Sequence, residues 1–215
     1  MRRVAPRDAI SFAWSLDDLE SKLSHDPDDR RILSVGSSII LPRRVLMKLS
    51  SPAYNLHPGP PNFPGLFPSS FALYEGAREF GVTLHEMAAA VDTGAICFVE
   101  RFKIDPRWDR LSLDTHTLVV LLHVLERTAP LLANVHIPLR ASGDFWSGKR
   151  RTRKHFDAVC RLPENFTAVE FAQRLRAVGE GPDHCLTTTR DGQTFRLDTG
   201  RRGTVVRAGQ PVAAA

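Results

Sequence analysis

Cysteine is scarce in this chain: Cys97, Cys160 and Cys185 are three in 215 residues, widely spaced and with no Cys-x-x-Cys pair. An odd, scattered set excludes a disulfide framework and a cysteine zinc site, so no metal is expected, and it fits a reducing, cytoplasmic compartment. No apolar run approaches the roughly 18–20 residues that cross a bilayer, so no membrane partner is expected. The opening MRRVAPRDAISFAWS carries basic residues but lacks the sustained apolar stretch and the cleavage site of a secretory leader. Internal repeats are absent as well. What remains is ordinary for a folded domain, with 42% hydrophobic and 25% charged residues. The excess of +5 is modest but uneven. One basic cluster is Lys149-Arg150-Arg151 with Arg153-Lys154, and a second is Arg201, Arg202 and Arg207. Such clusters either neutralise phosphates or simply face solvent.

The pattern along the chain alternates. Residues 15–24 read as a helix with Ser15 as N-cap and Leu16, Leu19 and Leu23 on one face, followed by a turn at 26–31. Arg31–Gly36 reads as a short strand, 42–49 as a helix opened by Pro42, and Ala53–His57 as the next strand. Residues 58–68 are crowded with proline and form an irregular loop. A serine-capped helix is expected over 69–79, strands over Gly81–Met87 and Ala95–Ile104, and a long helix over 114–133 containing Pro130. Past Arg140 a Gly/Ser/Arg-rich linker, ASGDFWSGKRRTR, leads to a small helix within 163–179 and to strands after Cys185. Arg190-Asp191-Gly192-Gln193 marks a hairpin. Alternating strands and helices in the first part imply an α/β sheet of parallel character, with ligands at the carboxyl ends of the strands.

Asn55 and His57 lie at such an end. Residues two apart on a strand point the same way, so both side chains can face one pocket. Asp92-Thr93-Gly94 follows on a separate loop. Taken singly, each residue has a structural use: Asn55 in a turn, His57 as a half-buried histidine, Asp92 as a turn former. Together, an amide, an imidazole and a carboxylate are the parts needed to move an acyl group onto an amine. Asn55 supplies an N–H donor for the oxyanion, and donors of that kind are usually the largest catalytic contribution. A protonated His57 gives a charged hydrogen bond, with Asp92 beside it favouring the cation or relaying the amine proton.

The ordered set Asn55-Leu56-His57-Pro58, Gly65, Gly81-Val82-Thr83-Leu84-His85 and Val91-Asp92-Thr93-Gly94-Ala95-Ile96 resembles the formyltransferase family that uses N10-formyltetrahydrofolate. Its members act on glycinamide ribonucleotide, methionyl-tRNA or sugar nucleotides. The resemblance is concentrated in residues 30–105. It implies a truncated Rossmann-like α/β sheet with helices on both faces over residues 1–140 and a small α+β domain over 141–215. It implies catalysis by Asn55, His57 and Asp92. It implies a folate held by Ser38, Ile39 and Ile40 on one side and by the loop from Met87 to Val91 on the other. His85 matches a family position too, where it orients a loop.

The chain departs from that pattern in two places. Only 54 residues precede Asn55, fewer than the family carries, and the family's Gly-rich phosphate-binding turn is missing from them. A smaller sheet with an uncovered edge, and a homodimer that covers it, are then expected. After His57 the proline-rich Pro58–Gly65 replaces the family's usual wall and argues against a glycinamide ribonucleotide acceptor. The expected reaction is transfer of a formyl group from N10-formyltetrahydrofolate to a primary amine on a phosphate-bearing molecule, either methionyl-tRNA or an amino-sugar nucleotide. Hydrolysis of formyl-folate, and folate or nucleic-acid binding without turnover, are the alternatives.

Overall fold

The computed structural model describes residues 10–24, 30–180, 184–198 and 204–207, with Asp198 and the last four by backbone alone. The expected turn at 26–31 falls largely outside them, as do Arg201 and Arg202 of the second basic cluster. The elements are α1 (Leu16–Leu23), β1 (Leu33–Val35), α2 (Arg43–Leu46), β2 (Tyr54–His57), α3 (Pro68–Tyr74), β3 (Glu79–Glu86), β4 (Ile96–Lys103), α4 (Arg110–Ala133), α5 (Arg153–Cys160), α6 (Ala168–Val178), β5 (Thr187–Arg190), β6 (Gln193–Asp198) and β7 (Thr204–Arg207).

Two compact units interleave in sequence. The first takes in the chain up to Gly65, Glu79–Phe102 and Thr115–Arg150; the second takes in Leu66–Arg78, Lys103–Asp114 and the chain from Arg151. The expected division instead ran at residue 140.

The first unit is built on a sheet in the order β1-β2-β3-β4. It is mixed rather than parallel. β1 and β2 run parallel, with Leu33 opposite Tyr54 and Val35 opposite Leu56, whereas β2 and β3 are antiparallel, with Asn55 opposite His85 and His57 opposite Thr83. Bonds from Glu86 N to Ala95 O and from Ile104 N to Arg78 O close the two ends of β3 and β4, which makes that pair antiparallel too. For β3 and β4 the reason is connection length. A parallel crossover needs about a dozen residues or more, and the link between Glu86 and Ile96 is shorter than that.

Strand alternation gives this sheet two unlike faces. One carries Tyr54, Leu56, Val82 and Leu84, all buried, packed with Leu121, Val124 and Leu132 of α4. At roughly 25 cal/mol per Å2 of apolar area removed from water, such a cluster is the main stabilising contribution in the unit. The other face carries Asn55, His57, Thr83 and His85. α4 is long and apolar enough by length and composition to cross a membrane, which corrects the reading that no segment is. Its buried leucines and Val124 pack on the sheet in the manner of a core helix. Arg31 holds the end of this assembly. Its guanidinium donates to the carbonyls of Leu131, Leu132, Val135 and Ile137 and lies over the Tyr54 ring, 5.2 Å from its centroid. The Leu131 and Leu132 carbonyls are among the acceptors that a helix end leaves without partners. The Tyr54 hydroxyl accepts from Leu139 N at 2.8 Å.

In the second unit, Phe67 stacks on Phe156 at 3.9 Å, and the Arg174 guanidinium donates to the carbonyls of Ala158, Val159 and Arg161. α3 starts at Pro68, preceded by Phe67 at φ 57, rather than at a serine cap; Pro is favoured at a first helical position because it has no N–H to satisfy. α5 begins at the last residue of the stretch read as linker and runs on through residues assigned no element. Thr152 and His155 form a reciprocal capping box there, a signal concealed by His standing where Glu or Gln is usual. The hairpin between β5 and β6 turns through Asp191 at φ 51 and Gly192 at φ 72, the two left-handed residues of a type I′ turn.

Candidate active site

The polar sheet face, the proline loop and the Asp92 turn meet within the first unit. β2 presents Asn55 and His57 side by side, and β3 sets His85 directly opposite Asn55. Asp92 closes over them. It stands at φ 52, a left-handed conformation that Asp tolerates better than most residues, and Thr93 Oγ1 donates to Ala90 O at 2.8 Å across the turn. Gly94 allows the turn to lie down, because a Cβ there would come 1.9 Å from Glu86 O.

Asp92 is 6% exposed, His57 4% and His85 2%. One carboxylate oxygen, Oδ2, accepts Gly65 N at 2.7 Å and lies 3.5 Å from His57 Nδ1; the other, Oδ1, lies 3.4 Å from His85 Nε2. His57 Nε2 is 3.0 Å from Phe63 O, His85 Nδ1 is 2.7 Å from Glu86 O, and Asn55 Nδ2 is 3.0 Å from His85 Nε2. A carbonyl only accepts, so His57 carries its proton on Nε2 and His85 on Nδ1. The neutral His57 ring then turns its Nδ1 lone pair toward the carboxylate, while that of His85 Nε2 takes the Asn55 N–H. A proton delivered to His57 Nδ1 converts an unfavourable contact into a charge-assisted hydrogen bond. The cluster is built to take up one proton.

Burial pushes His57 below the ordinary histidine value; Asp92 and the Phe63 carbonyl pull it up, and His85 again lowers it. The expectation that Asp92 keeps His57 cationic is therefore corrected: desolvation outweighs the carboxylate. Burial would also raise Asp92, but the neighbouring His85 and His57 rings and the Gly65 N–H bring it below the usual carboxylate range. Both ring nitrogens of His57 are engaged, while Asn55 is only half-buried. Its amide retains a second N–H, which makes Asn55 the donor nearest to solvent. Burial drives the thiols of Cys97 and Cys160 up to about 11, which leaves both protonated and unreactive at neutral pH.

The expected folate-holding residues lie outside the core. Ser38 and Ile40 are exposed, Ile40 at 65%, and Ile39 N donates to Ser37 Oγ. Sheet register sends this segment beyond the Leu56 end of β2. Met87 leaves from the other end, its N–H donating to Ala53 O at 2.7 Å, and Val91, 37% exposed, adjoins Asp92.

Two groups of the site escape a reading of the sequence. Phe63 acts through its backbone carbonyl, of which its side chain gives no signal, whereas Gly65, which acts through its N–H, belongs to the matching pattern. Trp146, in the stretch taken for a linker, reaches both histidines; a lone indole between Gly and Ser residues is a signal that could have been weighed. Of the first basic cluster, Arg151 pairs with Glu75 and lies over the Phe71 ring, and Arg153 lies over Phe67.

Residues 21–120 match the formyl transferase family. A methionyl-tRNA formyltransferase of Parvibaculum lavamentivorans is 28% identical over 185 residues, covering 82% of this chain and 57% of that protein. The chain spans about three fifths of the length of the curated relatives it matches. Among solved structures, a sugar N-formyltransferase from a Shewanella species superposes with a TM-score of 0.70 at 22% identity, over 85% of this chain and 73% of that one. An N-formyltransferase from Helicobacter canadensis, in complex with folinic acid and dTDP-3-aminofucose, gives 0.58 at 19% identity over 76% and 59%. At those identities the likeness speaks for the shared fold. Over residues 21–120, just under half of its length, the chain is thus similar to the formyl transferase family.

Proposed function

We propose that this protein transfers a formyl group from N10-formyltetrahydrofolate to a primary amine on a phosphate-bearing acceptor, methionyl-tRNA or an amino-sugar nucleotide, in the cytoplasm. The observation that carries this reading is the Asp92 carboxylate set between His57 and His85, with the Asn55 amide beside it on the polar sheet face. The family match, the relative named a methionyl-tRNA formyltransferase and the neighbour holding folinic acid and dTDP-3-aminofucose support it.

Formyl-folate supplies an electrophilic carbon to which the amine nitrogen bonds. As charge moves to the formyl oxygen, Asn55 Nδ2–H stabilises it, and His57 Nε2–H does so after leaving the Phe63 carbonyl. The proton lost by the attacking nitrogen passes, directly or through one water, to the Asp92 cluster, which then returns a proton to the departing nitrogen. The exposed apolar surfaces of Ile40 and Val91, with backbone groups alongside, suit a flat heteroaromatic ring. Exposed Lys149, Arg150 and Lys154 are available to acceptor phosphates.

The test is release of tetrahydrofolate from N10-formyltetrahydrofolate across a panel of amines, with Asn55→Ala and His57→Ala beside the wild type. Turnover that one acceptor supports and both variants lose is expected. Formate release without any amine would replace the reading with hydrolysis, and folate binding without turnover would replace it with a binding protein.

A further inference from the structure

Trp146 stands against both histidines. Its ring is 4.9 Å from His85 at an interplanar angle of 90°, and 5.7 Å from His57 at 74°. The placement is held from several sides. The indole N–H donates to Gly94 O at 2.9 Å, two residues from Asp92. Ser147 N and Gly148 N both reach Pro61 O, and a Cβ at Gly148 would lie 1.9 Å from Asn62 O, so this segment is pressed onto the proline loop. Upstream, Ser142 N and Oγ donate to Ile96 O at 2.8 and 3.2 Å. The neighbouring Phe145 is 76% exposed, whereas Trp146 turns inward and is half-buried. One strap thus ties the loop that supplies Phe63 and Gly65 to the turn that supplies Asp92, with an indole as its buckle.

We propose that Trp146 is a positioning residue of this site: its indole fixes His57 and His85 with Nδ1 and Nε2 aimed at Asp92, and it keeps water from that pair. This rests on the formyl-transfer reading, and it extends that reading to the choice of acceptor. Water competes with the amine for the formyl carbon, and a site that excludes it favours transfer over hydrolysis. Two imidazoles held edge to a ring cannot rotate away from a shared carboxylate, and a misplacement of about 1 Å can cost about 10²-fold in rate. The groups facing the two rings are Asp92, Asn55, the Phe63 and Glu86 carbonyls and Trp146 itself, and of these and the rings Asp92 and His57 are the members whose values the site shifts.

Two measurements on the full chain test this. The first is intrinsic fluorescence against pH for the wild type and Trp146→Phe, since an imidazolium in contact with an indole quenches it. The expected result is quenching in the wild type on acidification, as His57 gains its second proton below the ordinary histidine range, absent from Trp146→Phe and altered in His57→Gln. Identical titrations of wild type and Trp146→Phe would overturn the contact. The second is the partition of N10-formyltetrahydrofolate between formylated amine and formate. Trp146→Ala is expected to raise the formate share about tenfold and lower kcat for transfer while leaving KM for the folate within about twofold, with Trp146→Phe restoring much of the loss. An unchanged partition in Trp146→Ala, with wild-type transfer intact, overturns the proposal and leaves the formyl-transfer reading standing. Absence of wild-type turnover on every amine overturns that reading and the water-excluding role with it.

Discussion

Asp92 Oδ2 lies 3.5 Å from His57 Nδ1, a nitrogen whose lone pair faces the carboxylate while Nε2 holds its proton toward the Phe63 carbonyl. The contact is satisfied only when a proton arrives, so the resting site is poised to receive one.

Removing the half-exposed donor is the simplest check on the chemistry. Asn55→Ala should lower kcat for formyl transfer by about 10²–10³-fold, the usual cost of one oxyanion donor. KM for the folate should change little, because the interaction forms as charge develops. Steady-state kinetics with a saturating amine decide it.

Acid should weaken the fold through the same cluster. His57 has a folded value below its unfolded one, so the unfolded chain binds more protons and stability is complete above about 6.5. It falls as pH drops below that, down to the lowered folded value of His57. Asp92, also lowered in the fold, adds a further loss once pH falls below about 3.9. Urea midpoints between neutral pH and about pH 5 should decline, and His57→Gln should flatten that part of the curve. A midpoint that rises on acidification contradicts the assignment.

Gly94→Ala places a methyl group 1.9 Å from Glu86 O, where backbone must give way. A loss of about 1–3 kcal/mol is expected from overpacking, together with reduced transfer, because the displaced turn carries Asp92. Thermal melting and the folate assay should fall together.

Arg31→Met removes four donations to carbonyls of the last turn of α4 and of the segment after it, while keeping an apolar stem over Tyr54. The expected cost is about 2–4 kcal/mol, more than one charged hydrogen bond and less than the sum of four. Catalysis per folded molecule should be unaffected, which separates this residue from those above.

Much of this arrangement is legible in the chain. The order of Asn55, His57 and Asp92 identifies residues that the fold brings together, because strand alternation settles where the first two point. The short strands β1 and β2 and the Ser15 cap are readable from apolar runs and capping chemistry. The direction of β3 is not, since apolar alternation looks the same in either orientation. α5 is hidden behind a His in its capping box. The protonation of His57 is also illegible, because it depends on burial by the proline loop and on the Phe63 carbonyl, neither of which leaves a mark at position 57. Trp146 is separated from Asp92 by β4 and all of α4, and only tertiary structure unites them.

The sheet face that bears Asn55, His57 and His85 is the reverse of the one that bears Tyr54, Leu56 and Leu84. Even and odd positions of β2 therefore have unlike duties, and the parity of the strand decides both at once. A single inserted or deleted residue ahead of Tyr54 that shifted its pairing with β3 would sink the amide and imidazole into the greasy side and lift Leu56 into the reaction centre. Neither half could be lost without the other. The chemistry here is guarded against frame errors by the same packing that keeps the protein folded.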